Sequence, residues 1–290
     1  MKILIFGAKG LIGRSLFFQL KEHAIEVKGT VRNKEDKELL NLPDSEDILV
    51  TGTVSCDSNI IDLIKDFNPD LVINCLGITK HVSEIHKSHQ MIDINSKFPH
   101  FLSNLTDLLD FRLINFSTDC IFSGNRGNYK EDDLSDAEDL YGKSKYLGEI
   151  TDNDRALTLR TSFIGHSAHS NLGLIDWFLS STEEVKGFSN AIYTGLTTHE
   201  IGNFIISKVL NSSELSGLYN LSGKKIDKFN LLKLVKQIYH TEIEIKEDTS
   251  IKIDRSLDSS KIKALTGYEA PSWEEQILFL NETFKKQTKQ

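Results

Sequence analysis

The stretch Lys2-Ile3-Leu4-Ile5-Phe6-Gly7-Ala8-Lys9-Gly10-Leu11-Ile12-Gly13 changes its periodicity at a glycine. Before Gly7 the residues are apolar without a break, as in a strand buried on both faces. From residue 11 to residue 20 the apolar positions recur at helical spacing. The stretch therefore predicts strand, tight turn, helix, which is the opening unit of a βαβ fold. Each glycine has its own use in such a turn. Gly7 permits the bend, Gly10 lets the backbone approach a pyrophosphate with no side chain between, and Gly13 lets helix and strand pack closely. Gly7, Gly10, Leu11, Ile12 and Gly13 are accordingly expected to hold a dinucleotide; the plainer alternative is a glycine-rich turn with no ligand.

The same alternation continues outward. Strands are expected over 25–31, 48–50, 71–75, 113–117 and 156–160, with helices over 60–66 and 91–109 and a further helix starting near Leu140. This predicts the α/β class, a Rossmann-type doubly wound parallel sheet. Beyond Thr161 the rhythm loosens into glycine and serine loops around helices expected at 174–180, 199–210, 228–239 and 273–285. The expected division is a dinucleotide-binding domain over 1–162 and a smaller, mainly substrate-binding C-terminal subdomain over 163–290, with some segments returning to the main sheet.

Composition narrows the classes. The 290 residues are 26% charged and 39% hydrophobic, ordinary for a globular protein, and the net charge of −8 argues against a nucleic-acid or anionic-membrane surface. No apolar run approaches the roughly 20 residues that span a bilayer. The N-terminus enters a strand directly, without the pattern of a signal peptide, so a cytoplasmic location is expected. Cys56, Cys75 and Cys120 are widely spaced with no Cys-x-x-Cys pair, which predicts buried thiols rather than disulfides or zinc. His81, His86 and His89 lie close together without acidic or cysteine partners at ligand spacing, and no metal is expected.

Two further stretches bear on chemistry. The second strand ends in Gly29-Thr30-Val31-Arg32-Asn33, where a binder of NAD usually carries a carboxylate for the ribose hydroxyls. Arg32 in that place suits the extra phosphate of NADP, with no Asp or Glu in the expected place to repel it; its alternative is a solvated loop charge. In Phe116-Ser117-Thr118-Asp119-Cys120-Ile121-Phe122 the polar centre has no use inside a buried strand. It fits a strand emerging at its carboxyl end into the ligand crevice. One connection later, Tyr141 and Lys145 stand four apart at a helix start and share a face. There a hydroxyl orients a carbonyl while a tyrosine, its pKa lowered by the ammonium, delivers a proton as hydride arrives.

Taken together, Gly-x-x-Gly-x-x-Gly, Asn74-Cys75-Leu76-Gly77, the Ser-Thr-Asp strand end and Tyr-x-x-x-Lys resemble the extended short-chain dehydrogenase/reductases over most of the chain. "STDCIFSGNRGNYKEDD" followed by "DLYGKSKYLGE" looks like the dTDP-4-dehydrorhamnose reductase branch, including reductases of UDP-linked 4-keto-6-deoxy sugars. The resemblance implies Thr118, Tyr141 and Lys145 as the catalytic set, with Asn74, Cys75, Gly77, Asn95, Ser117, Tyr141 and Lys145 joining the glycine turn and Arg32 at the cofactor. Asn95 also reads as a helix cap. Thr118, Asp119, Arg160 and Arg255 are implied at the substrate, Arg255 at its diphosphate; Arg160 also reads as a structural charge, and Lys80-His81 as a solvated pair. Cys120 stands where rhamnose enzymes commonly have tyrosine, and Gly52-Thr53 replace an acidic residue near adenine. "INCLGITK", "STDCIF" and "GYEAPSW" look closer to UDP-amino-sugar reductases. The expectation is an NADPH-dependent reductase of a nucleotide-sugar 4-keto group, with NADH the other cofactor and a homodimer allowed but not demanded. An epimerase or dehydratase, and a non-catalytic NADP-binding regulatory subunit, are the alternatives.

Overall fold

The first apolar run forms the central strand because both of its faces are covered, leaving Ile3, Leu4, Ile5 and Phe6 without solvent exposure. The computed structural model describes residues 1–40, 45–79, 88–167, 173–212 and 214–288. Lys80, His81 and His86 lie outside the described residues.

The first half runs β1 (Lys2–Phe6), α1 (Leu11–Glu22), β2 (Glu26–Val31), α2 (Lys34–Glu38), β3 (Ile48–Val50) and α3 (Ser58–Phe67). It continues with β4 (Leu71–Asn74), α4 (Ser88–Ile92), α5 (Phe98–Leu105), β5 (Arg112–Ser117), α6 (Leu140–Leu147) and β6 (Ala156–Arg160). The second half holds β7 (Phe163–Ile164), α7 (Leu174–Leu179), β8 (Val185–Phe188), β9 (Ala191–Tyr193), β10 (Leu196–Thr197) and α8 (Thr198–Phe204). After these come β11 (Gly217–Asn220), β12 (Ile226–Asp227), α9 (Lys228–Tyr239), β13 (Ile245–Asp248), β14 (Ile253–Asp254), α10 (Ser260–Thr266) and α11 (Trp273–Thr288).

The main sheet has seven parallel strands in the order β11-β6-β5-β4-β1-β2-β3. Winding reverses at β1, whose Phe6 is in register with Thr30 on one side and Asn74 on the other. One face is covered by α1 and α8, where Ile12, Leu16, Phe17 and Leu20 meet Ile201, Phe204 and Ile205. The other is covered by α3 and α5 through Ile60, Ile64, Phe98 and Leu102. Each such side chain, fully buried, stabilises the fold by about 1.5–3 kcal/mol relative to exposure. A third apolar cluster, centred on Phe178, Leu231, Val235 and Ile277, belongs to the second half. That half also sends β11 back to extend the main sheet beside β6.

The helix expected over 91–109 is not uniform. A π-helical turn, Asp93–Lys97, separates α4 from α5, and α5 ends at Leu105. Its wider turn brings the Asn95 carbonyl so close to Gly148 that a Cβ there would lie 1.9 Å from it. The short strands β7 to β10 and β12 to β14 and the helices α2 and α10 have no counterpart in the sequence reading, since two to seven residues carry too little periodicity. Cys56 is exposed, against the expectation of buried thiols, while Cys75 and Cys120 are half-buried; none of the three forms a disulfide.

Candidate active site

Gly7 sits at φ +87°, and a Cβ there would come within 2.9 Å of Leu76 Cδ2. At Gly13 a Cβ would lie 2.2 Å from the Gly7 carbonyl oxygen, so only glycine lets α1 rest on the turn. Gly10 is exposed, and a Cβ there would meet only that same oxygen, at 3.4 Å. Its bare backbone opens on a cavity of about 780 Å³ at the switch point of the sheet. Gly7, Gly10, Leu11, Arg32, Cys75 and Gly77 line that cavity, as do Gly52 and Thr53.

Other residues expected at the cofactor turn their side chains elsewhere. Ile12 packs in the core under α1. Asn74 donates to Asn115 Oδ1 at 3.0 Å and accepts the Leu76 N–H. Asn95 is fully buried inside the π turn, not at a helix start. Its amide bonds the Ile78 N–H and C=O and donates to Ser144 Oγ at 3.0 Å, which fixes the loop beyond β4 rather than reaching into the cavity. Ser117 donates to Glu149 Oε1 at 2.6 Å, away from the cavity.

At the β2 end of the cavity the strand end itself carries no acid, but α2 brings one close. Asp36, at the start of α2, is held by the Asn33 cap, and its carboxylate lies 2.5 Å from Lys9 Nζ and 4.0 Å from Arg32 Nε. Lys9 and Asp36 both line the cavity, and neither was singled out by sequence reasoning. The readable signal was an asparagine cap, Asn33, directing the first turn of a helix back toward the strand end.

At the catalytic end, Thr118 caps a short 3₁₀ turn, Asp119–Ile121, by accepting the Cys120 N–H at 3.2 Å. Burial pushes the Tyr141 phenol well above its ordinary range, the neighbouring Cys120 adds to this, and the Thr118 hydroxyl opposes it. The expected acidification by Lys145 is not the leading influence on this phenol. Lys145 Nζ instead donates to the Phe116 carbonyl at 2.5 Å. Burial lowers its amine from 10.5 to about 8, against the opposing influence of Glu149 and Cys75. Because Cys75 lines the cavity and acts on the Lys145 charge, Lys145 stands close to the cavity wall.

The four residues expected at the substrate divide. Arg255 comes to the same strand end as Thr118 and Asp119: its Nε donates to the Phe122 carbonyl at 2.8 Å and its Nη1 lies 3.8 Å from Cys120 Sγ. Burial raises the Asp119 carboxyl, with Arg255 foremost among the opposing influences. Arg160 does not join them. It is 2% exposed, its guanidinium takes both Glu149 oxygens at 2.8 and 2.7 Å, and Nη1 reaches the Lys130 and Glu131 carbonyls. With four of its five N–H groups committed, it is a structural charge and no phosphate ligand. Tyr193 on β9 is a further residue that the sequence did not mark: its buried hydroxyl has no partner among the described residues and feels the Asp119 charge.

Parallel strands wound both ways from β1, with a Tyr-x-x-x-Lys pair on the helix after β5, are the marks of short-chain dehydrogenase/reductases, the class that this fold and site define. A family model described as the RmlD substrate binding domain matches residues 1–285, and the chain belongs to that family. Spore coat polysaccharide biosynthesis protein SpsK of Bacillus subtilis (strain 168) is 25% identical over 234 residues, 78% of this chain and 74% of that protein. A dTDP-4-dehydrorhamnose reductase of Aggregatibacter actinomycetemcomitans is 27% identical over 232 residues, 77% of this chain and 74% of its own. Methionine adenosyltransferase 2 subunit beta of Xenopus laevis is 28% identical over 165 residues, 55% of this chain but only 46% of that subunit. Among solved structures, dTDP-4-dehydrorhamnose reductase from Bacillus anthracis str. Ames in complex with NADP aligns with a TM-score of 0.78 at 19% identity, covering 97% of this chain and 98% of that one. The Bordetella bronchiseptica enzyme WbmG in complex with NAD also gives 0.78 at 19% identity, covering 99% and 94%. At these identities the structures establish a shared fold. No helix among the described residues is long and apolar enough to cross a membrane.

Proposed function

We propose that this chain is an NADPH-dependent reductase of the 4-keto group of a nucleotide-activated 6-deoxyhexose, serving surface polysaccharide biosynthesis. The substrate is dTDP-4-dehydrorhamnose or a UDP-linked 4-keto-6-deoxy-amino sugar. The observation that carries this reading is the placing of Thr118, at the end of β5, with Tyr141 and Lys145 of α6, next to a cavity that opens on a bare glycine turn. The bare backbone at Gly10 fits a dinucleotide phosphate, since any Cβ would begin to fill the cradle.

When bound, NADPH supplies the hydride. Tyr141, held protonated at neutral pH by its burial, donates its proton to the carbonyl oxygen as negative charge grows there. Thr118 orients that oxygen through its hydroxyl. Lys145 fixes the strand end through Phe116 and sets a positive charge beside the crevice. The region over 163–290 holds the sugar nucleotide, with Arg255 at the diphosphate. The relatives support this reading through what their names state: polysaccharide biosynthesis for one, dTDP-4-dehydrorhamnose reduction for another.

The test follows NADPH oxidation by the purified protein with freshly made dTDP- and UDP-linked 4-keto-6-deoxy sugars. Net oxidation is expected with one of them, and Tyr141→Phe should lower kcat by about 10²–10⁴-fold while leaving NADPH affinity nearly unchanged. Conversion of a sugar without net NADPH consumption would replace this reading with an epimerase or dehydratase. Tight cofactor binding with no turnover on any keto-sugar would favour a regulatory subunit.

A further inference from the structure

One imidazole in the second half has both ring nitrogens bonded to side chains, and none of its partners belongs to the site at the end of β5. His166 follows β7, its side chain is 5% exposed, and the Phe284 ring of α11 stacks on it with centroids 3.8 Å apart. Its Nδ1 lies 2.7 Å from Asp176 Oδ1 in α7, and its Nε2 lies 2.7 Å from the Tyr239 hydroxyl at the end of α9. The other Asp176 oxygen accepts the Ser167 N–H at 2.6 Å. The partners decide which groups donate. A carboxylate only accepts, so Nδ1 carries the hydrogen that faces Asp176. Burial, with the Asp176 charge, holds the Tyr239 phenol protonated, so its hydroxyl donates to Nε2.

This chain of bonds ends on the cavity of about 780 Å³, where Ser167 is a wall residue. Gly173, which leads into α7, lies so near the glycine turn that a Cβ there would be 3.9 Å from Leu11 Cδ1, another wall residue. Ser167 belongs to no strand or helix, and Asp176 gives its backbone an anchor. We propose that His166 is a positioning residue for the dinucleotide: it fixes the Asp176 carboxylate that holds Ser167 against the cofactor, and Tyr239 braces the imidazole from α9. The proposal rests on the reading of the cavity as a dinucleotide site. Apolar contacts already join α7, α9 and α11 through Phe178, Leu231 and Ile277. A buried polar chain across the same helices costs desolvation and adds direction, which packing alone does not supply. The acid in it is needed because two donors converge on Asp176, and an amide offers only one acceptor oxygen.

The experiment measures the NADPH dissociation constant by calorimetry, Tm, and KM for NADPH with kcat on a reduced keto-sugar, for the full chain and for Asp176→Asn and Tyr239→Phe. Asp176→Asn leaves one acceptor for two donors, and NADPH affinity should fall about tenfold. Tyr239→Phe keeps the ring and removes one hydroxyl, and affinity should fall about threefold. In both variants kcat at saturating NADPH should stay within about twofold, because Thr118, Tyr141 and Lys145 are untouched. An unfolded fraction lowers the binding stoichiometry and leaves the dissociation constant as it is. A lower Tm with NADPH affinity unchanged in both variants would make the chain a packing device and overturn the proposal, as would a loss of kcat with KM unmoved. If wild type binds no dinucleotide, the cavity reading and the positioning role fall together. If it binds NADPH but reduces no keto-sugar, the reductase reading falls, and the dissociation constants still decide the role of His166.

Discussion

Glu149 and Asp36 both lie at the carboxyl edge of the sheet, and both face an arginine. Glu149 is sealed: its side chain is 3% exposed, and it accepts two bonds from Arg160 and one from Ser117. Asp36 is almost as buried, at 9%, but its partners Lys9 and Arg32 are 39% and 66% exposed and line a cavity. Saturation rather than residue type separates the two. An arginine whose hydrogen-bonding capacity is used up by protein cannot also hold a ligand, whereas loosely paired cations on a cavity wall can exchange a carboxylate for a phosphate. Arg160 and Arg32 look alike in a sequence, and their surroundings make one a support beneath the catalytic strand and the other a part of the crevice.

The largest expected effect breaks the sealed cluster. Arg160→Met leaves Glu149 buried with only Ser117 as a strong partner, and breaking a buried pair in this way costs about 3–5 kcal/mol. Urea denaturation would measure it, and Glu149→Met combined with Arg160→Met should recover most of the loss, because no uncompensated charge remains. A single-mutant cost near zero would mean that the cluster is open to water after all.

Next comes the charge that lies between the two regions. Burial lowers Lys145 from 10.5 to about 8, so the folded chain releases this proton at lower pH than the unfolded chain. The penalty for burying the ammonium is fully present below about pH 8 and is relieved as pH rises to 10.5, because the unfolded state then binds more protons. Stability from this group should rise across that window by on the order of 3 kcal/mol. Unfolding free energies of wild type and Lys145→Met, compared pH by pH, would show the slope; parallel curves would contradict it. The smallest effect belongs to the open cluster. Asp36→Asn should change stability by about 0–1 kcal/mol, as for pairs at an exposed rim. A large stability loss would place Asp36 with Glu149 and erase the contrast.

Much of this was readable from order along the chain. The run before Gly7 and the spacing of its glycines foretold β1, α1 and the switch-point crevice, because strand burial and tight turns are decided within a dozen residues. Ser-Thr-Asp at a strand end, followed by Tyr141 and Lys145, marked the candidate site at the end of β5. The π turn around Asn95 was not readable, since an extra residue in one helical turn leaves the apolar spacing nearly unchanged. The fate of Arg160 was equally hidden, because it depends on Glu149 arriving from the end of α6 and on two carbonyls contributed by the loop before it.

By itself, then, the sequence determined the alternation of strands and helices, the glycine turn and the residue types at the catalytic edge. These follow from local dihedral preference and from hydrophobic periodicity. Only the tertiary structure decided that Lys9 meets Asp36 across 27 residues, that Ser117 serves Glu149, and that burial raises the Tyr141 phenol. Hydrogen-bond saturation and desolvation are set by whatever the fold brings within a few ångströms, and neighbours in space are not written as neighbours in sequence.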